Sequence, residues 1–535
     1  MSATYTTTKQ GGNEWTIMVF FAGEQDLSPS MTSQLKAIKD AGFQENTTVL
    51  IHYDPNKRGV GTVTFDINQR RKEEKGTVIG DGKDPFVRNL VEDIIPGAPK
   101  GATAAGALQL FLDNGLRNYF AKHFIVVLVG HGVIVGNDAF LPDDSPHTAI
   151  TLQNLGDIFG DFSRGVKLRG GAVELLGMHS CSMSAIEVAY ELKDTAKYMI
   201  ATEGVSFVGS WPYRQMLKKI LYDIDEAKTA NTEVDVDELI MSLQRLCLHN
   251  STDFMFSGLS ADLCLCSLKG DNIDALNEPL IDLTRALKKG LQDQRGLELI
   301  TLAHLKAQSY WQETYTDLYD FCVCLERTCN DTNAVQGEMA AACSAVRTSL
   351  NESNRPDGFI VRSDFFGPLY QYSHGVSVYF PWSRPVPEVP EARSDDDILK
   401  KYENYKFTKA LGEDSWLSFL EEYFKVTQRE RREVEDNLPV ITQNGTKPQI
   451  RRAAASPVSS TVSIPVASGG NSTRIFAEAL DNKKASPQLE KASPQLTDSM
   501  GCACSVKNYP MEFSQSPRAS LDPNEEITEC SGYSR

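Results

Sequence analysis

The sequence predicts an α/β fold with a mainly parallel central sheet flanked by helices, and three observations carry that expectation. Continuous apolar runs of strand length recur through the first two fifths of the chain: WTIMVFFAG, TTVLIHYDP, HFIVVLVGHG, GAVELLGMHSC and YMIATEG. Stretches with helical spacing separate several of them. Runs that are apolar on both faces suit buried parallel strands, and their alternation with helices is the pattern of βαβ units.

Taken in order, Trp15 to Gly23 is the first strand. In the segment after it, Leu35, Ile38 and Ala41 fall on one helical face and Gly42 ends the pattern. TTVLIHYDP is the second strand, closed by Asp54-Pro55. GTVTFDI, a helix at GALQLFLDNGLRNYF and the strong strand HFIVVLVGHG follow. GAVELLGMHSC gives another strand, SAIEVAYELKDTA an amphipathic helix, and YMIATEG one more strand. From about Pro212 to Arg347 the periodicity is mostly helical, an insertion between core strands. GVSVYFPW returns as a strand, and SWLSFLEEYFKVT closes the ordered part as an amphipathic helix.

The expected organisation is a flexible N-terminus over 1–14, one large domain over 15–429 with its helical insertion at about 212–347, and a low-complexity tail over 430–535. The tail is rich in small polar residues and repeats KASPQL, a composition too poor in apolar surface to offset ordering entropy. It is expected to be disordered and is a candidate for binding a partner. Three of the eleven cysteines lie in it, without an assignable role.

A formal net charge of −17 argues against nucleic acid or an anionic membrane as the main partner. No apolar run is long enough to span a bilayer, and the first residues lack the basic and apolar regions of a secretory signal. The odd cysteine count in a long chain does not resemble a secreted disulfide framework. These features together predict a cytoplasmic, reducing setting.

Open parallel sheets gather chemistry just past the carboxyl ends of their strands. Two strong strands end in reactive residues, one at His131-Gly132 and the other at His179-Ser180-Cys181. His131 precedes Cys181 by 181 − 131 = 50 positions, close to the histidine about 50 residues upstream in caspase-type peptidases. A thiol that runs acyl transfer needs a nearby acid–base group that also protonates the departing amine. The N–H groups of Gly132 and Cys181 are candidate oxyanion donors. Core packing is the competing reading, because free cysteine is among the most buried residue types. His52 and His123 sit within or at the start of strands and read as structural, and His147, His249 and His304 lack a partner pattern.

The blocks WTIMVFFAGEQDL, VVLVGHG, SCSMSAIEVAYELKDTAKYMIATEG, DLYDF and HGVSVYFPW, in that order, resemble the clostripain family of cysteine peptidases. That family shares the caspase–haemoglobinase fold with caspases and legumains, and the resemblance spans about Trp15 to Lys425. It implies a cysteine endopeptidase whose dyad is His131 and Cys181 and whose substrate is a peptide or protein. A chain that keeps the fold but only binds peptides is the alternative.

One position departs from the family. Relatives usually carry an aspartate two residues before the cysteine, which helps select arginine or lysine at P1. Here that residue is His179. A cationic P1 side chain in a buried pocket needs a carboxylate, so basic specificity is in doubt unless another acid, with Glu203 the best placed, takes over. Packing against a loop is the plainer reading of His179. Asp161 to Gly171 reads as a polar turn, with Arg164, Lys167 and Arg169 as self-cleavage candidates if basic specificity survives.

No cofactor is expected. The resemblance brings calcium into view, with oxygen-rich PDDS or DINQR as possible ligands but no EF-hand spacing. Cys264 and Cys266 fit one apolar face of a strand better than a metal site, and Cys322, Cys324 and Cys329 match no zinc spacing. His374 reads as structural.

Overall fold

Five of the apolar runs lie side by side as parallel strands. The computed structural model describes residues 13–22, 27–39, 41, 46–54, 63–66, 103–132, 140–144, 147–251, 260–311, 313–329, 333–351, 358–384 and 398–437. In chain order the strands are β1 (Asn13–Phe21), β2 (Thr47–Tyr53), β3 (Val63–Asp66), β4 (Ala121–Val129), β5 (Phe140–Asp144), β6 (His147–Ile150), β7 (Ala172–His179), β8 (Tyr198–Ala201), β9 (Ala261–Ser267), β10 (Ser309–Tyr310), β11 (Tyr315–Asp317), β12 (Ile360–Phe366) and β13 (Ser377–Tyr379). Eight of them form one sheet in the order β12-β9-β8-β7-β4-β1-β2-β3. The span from β2 to β8 is parallel. β3 closes one edge and β9 with β12 the other, all antiparallel.

Alternation along each strand explains why the sheet is covered on both sides. Met18, Phe20, Phe124, Val126 and Leu128 point into one core, while Ile17, Val19, Phe21, Ile125 and Val127 point into the other. Helices Ala104–Asn118 and Leu152–Leu168 pack the first face with Leu108, Phe111, Phe159 and Phe162. Helices Ser28–Lys39, Tyr213–Ala230 and Val236–Ser251 pack the second with Leu35, Ile38, Ile220 and Leu243. The strand order reverses between β1 and β4, so the carboxyl ends at this point open a crevice, the usual place for a site in such sheets.

Two details differ from the sequence reading. Asp161 to Gly171 is no turn for most of its length, because helix Leu152–Leu168 runs through it. Helix Ile186–Glu191 is buried all round rather than amphipathic. The region from Pro212 to Arg347 is mostly helical, with β9 inside it joining the main sheet. Residues 1–12 and 438–535, with most of the expected tail, lie outside the described residues, as does Gly42. All described residues belong to one unit, Met1–Cys504.

The buried helix Ile186–Glu191 ties the chain after Cys181 to the C-terminal layer. Glu187 accepts from the Tyr379 N–H at 2.9 Å and the Tyr402 hydroxyl at 2.6 Å. Glu191 accepts from the Lys406 N–H at 3.2 Å and pairs with its Nζ at 3.3 Å. Burial raises the Glu187 carboxyl to about 6, so desolvation outweighs its hydrogen bonds. That difference is about 2 kcal/mol.

Candidate active site

Strand pairing fixes which residues meet at the carboxyl ends of β4 and β7, one strand over from the order reversal. Val129 at the end of β4 is level with His179 at the end of β7, and the Gly130 N–H reaches the His179 carbonyl at 3.4 Å. His131 and Cys181 each follow two residues later, so both leave the sheet at the same height. Gly132 then lies against the turn that carries Cys181: a Cβ added there would sit 2.5 Å from the Cys181 carbonyl oxygen and 2.8 Å from Ser180 Cβ. The turn itself is strained, with Ser182 at φ +54°. It is held by the Ser182 N–H on the Gly204 carbonyl at 2.9 Å and the Ser184 N–H on the Thr202 carbonyl at 2.8 Å.

Cys181 is buried and packs against Val205 and Trp311. The Ser206 N–H points at its Sγ at 3.2 Å. The seven other described cysteines are free. The species relevant to acyl transfer is the reduced thiolate.

His179 is fully buried and stacks on Trp211 with ring centroids 4.7 Å apart. Its Nε2 lies 2.8 Å from the Phe207 carbonyl, which only accepts, so Nε2 carries the hydrogen and Nδ1 accepts from the Tyr213 hydroxyl at 2.8 Å. Burial lowers its pKa to about 4. The ring is therefore neutral at physiological pH, and the stability it contributes is present above 6.5 and lost as pH falls from there to about 4. Glu203, just past β8, is also fully buried, and its Oε2 accepts from the Gly375 N–H at 2.8 Å.

The sequence model of the clostripain family matches residues 19–422. The chain belongs to the clostripain family. It is a cysteine-type peptidase. Among curated proteins, none matches it. Several solved structures are similar, two of them as follows. A secreted C11 cysteine protease from Bacteroides thetaiotaomicron, in complex with an irreversible peptide inhibitor, is 13% identical with a TM-score of 0.46, covering 75% of this chain and 99% of its own. An inactive zymogen C11 protease from Parabacteroides distasonis is 14% identical with a TM-score of 0.43, covering 76% and 99%.

In this clostripain-family chain the histidine at the aspartate position is built into the core rather than turned toward a ligand. His179→Asp is expected to lower stability by about 3 kcal/mol, since a carboxylate would lose the Phe207 contact and stay buried beside a ring. Thermal unfolding checks this, and cleavage after arginine should not appear in the variant. Arg164 and Lys167 sit on helix Leu152–Leu168 with Arg169 as its C-cap, a hydrogen-bonded backbone that does not present an extended strand to a peptidase. Arg164 pairs with Asp161, and Arg169 covers the Phe120 ring at 4.0 Å.

Cys264 and Cys266 lie on β9, both in one core. Among the described residues no group of three or more His, Cys, Asp or Glu is placed to hold a metal, and the side chains of PDDS lie outside them with nearly all of DINQR. No described helix is long and apolar enough to cross a membrane. His52 hydrogen-bonds Thr64 at 3.2 Å, His123 bonds Glu174 at 2.7 Å, and His304 stacks on Phe380, all as packed side chains.

Sequence reasoning missed Ser206, Asp262, Asp317 and Trp311. Asp317 opens the DLYDF block and Asp262 sits in ADLCLC, where only the thiols drew attention. No local pattern marks the other two.

Proposed function

We propose that the chain is a cysteine endopeptidase with Cys181 as nucleophile and His131 as general acid–base. The pairing of β4 with β7, which sets both strand ends level, is the observation that carries this reading. The Ser206 N–H beside Sγ favours the thiolate. The thiolate attacks the scissile carbonyl carbon, and the oxyanion that forms takes hydrogen bonds from the N–H groups of Cys181 and Gly132. His131 protonates the amine as the C–N bond breaks, leaving a thioester. It then takes a proton from water, whose oxygen attacks the thioester and releases the acid and the thiolate.

At P1, His179 brings neither a carboxylate nor a charge, and Glu203 is engaged with Gly375. Val205 and Trp311 supply apolar surface against Cys181 instead. These contacts support a neutral, apolar P1 side chain. A fluorogenic library varied at P1, run under reductant with Cys181→Ala as control, should show its strongest cleavage after apolar residues. Dominant cleavage after arginine or lysine would sink this specificity while leaving the dyad intact.

The burial of Cys181 supports a second reading, a peptide-binding chain that does not cleave. An activity-based electrophile separates the two: labelling at Cys181 after reduction rejects the silent chain. The free state of the seven other described cysteines supports a reducing compartment, and the cytoplasm stays the proposed setting.

A further inference from the structure

Glu203 belongs to a buried group of acids that links the nucleophile's surroundings to the loop before β13. Asp262 of β9 accepts from the Glu203 N–H at 2.6 Å and the Gly204 N–H at 3.0 Å. Asp317, at the end of β11, accepts from the N–H groups of Asp320 at 2.7 Å and His374 at 2.5 Å. All three carboxyl groups are buried. Glu203 uses Oε2 for the Gly375 N–H, and its Oε1 meets no N–H or hydroxyl donor.

The carboxyl groups of Asp317 and Glu203 take the consecutive N–H groups of His374 and Gly375, which brings the two acids side by side. Ionised carboxylates only accept, so such a pair bonds only when one member keeps a proton. Asp317 already collects two backbone N–H bonds that favour its charge, while the Glu203 carboxyl collects one. Burial raises the Asp317 carboxyl as well, to about 8, but its second backbone N–H bond makes it the easier of the two to ionise, so the shared proton sits on Glu203.

We propose that Glu203 donates a shared proton to Asp317, and that this O–H···O bond fixes the backbone that positions Cys181. The segment it anchors touches the nucleophile turn at two points: the Gly204 carbonyl takes the Ser182 N–H, and the Ser206 N–H meets Cys181 Sγ. Glu203 is thus a positioning residue for the proposed reaction, and its role there rests on Cys181 being the nucleophile. Burial, followed by the charges of Asp317 and Asp262, raises the Glu203 carboxyl well above its ordinary range. The titratable groups around it are Asp262 and Cys264 on β9, Tyr310 on β10, and Asp317 on β11. Tyr370 bonds the Val205 N–H, and behind Asp317 stand Asp320 and His374, the latter with Nδ1 3.8 Å from Asp317.

The sign follows from a raised carboxyl pKa. The bond is complete at low pH, and its contribution is lost as pH rises from the ordinary carboxylate range through the folded pKa. Above that, three carboxylates repel and the anchor of Ser182 and Ser206 loosens.

Glu203→Gln tests this, because an amide keeps its carbonyl for Gly375 and donates N–H to Asp317 at every pH. The full chain under reductant is followed from about pH 6 to about pH 10 by kcat/KM and by thermal unfolding, with an expected upward shift of the alkaline midpoint in E203Q of about one pH unit or more. E203A should lose about tenfold in kcat/KM near neutrality, since neither bond survives. Should E203A fail to fold, E203Q decides alone. Unfolding is also measured in the Cys181→Ala background, where the shift must persist without any chemistry. An E203Q midpoint that coincides with wild type in that background overturns the proton bond, whereas peptidase activity surviving in Cys181→Ala overturns the dyad alone.

Discussion

Cys181→Ala should lower kcat/KM by at least about 10³-fold on the best substrate from the P1 profile, without unfolding the protein. Cys181 is one small buried side chain in a turn held by backbone bonds of Ser182 and Ser184, so its sulfur is not what holds the turn. His131→Ala should lose activity on a similar scale, and the double variant little more than either single one, because a nucleophile and its acid–base act as a unit. Single-turnover and steady-state rates under reductant check both expectations. Residual activity within tenfold of wild type in Cys181→Ala would move the nucleophile elsewhere. Activity of the wild type should itself depend on reductant, since only a reduced thiolate attacks a carbonyl.

The strands and the two reactive strand ends were legible because buried parallel strands write themselves as unbroken apolar runs, and chemistry sits where those runs stop. The pairing that sets Val129 level with His179 was not legible, because register between strands about 50 residues apart is fixed by packing rather than by either run alone. Helix Leu152–Leu168 was harder. Leu155, Phe159, Phe162 and Val166 mark a helical face, but Asp161, Arg164 and Lys167 with Gly165 and Gly170 look like a turn when the C-terminal half is read alone.

The acid group was illegible for a different reason. Asp262 lies 59 residues from Glu203, and 317 − 203 places Asp317 another step away at 114, so no window holds them together. His179 was conspicuous, yet its role depends on Trp211 and Tyr213, which fold back from beyond β8. A sequence shows that an expected acid is missing more readily than it shows what the replacement touches.

Gly132→Ala carries the second large expected effect, and it arises from space rather than from a lost functional group. The added Cβ would stand 2.5 Å from the Cys181 carbonyl oxygen, 2.8 Å from Ser180 Cβ and 3.2 Å from Met183 Cγ. The first of these is backbone and the second is bonded to it, so no side-chain rotation clears the clash. Retreat is also closed, because Ser182 already holds φ +54° and the turn is bonded to Gly204 and Thr202. The strand end bearing His131 and the turn bearing Cys181 must therefore part. Separation on the order of 1 Å between reacting groups costs about 10²-fold in kcat/KM, whereas overpacking at one strand end costs about 1–3 kcal/mol of stability. Gly160→Ala is the matching control: its Cβ meets nothing within 4 Å on helix Leu152–Leu168, and alanine there should add about 1 kcal/mol of helix stability. Circular dichroism melts and kcat/KM measured on both variants separate the effects. If Gly132→Ala keeps kcat/KM within about twofold, the close approach of the two strand ends does not set the distance between His131 and Cys181. If it loses about 10²-fold while still melting cooperatively, this contact holds the acid–base group in register with the nucleophile.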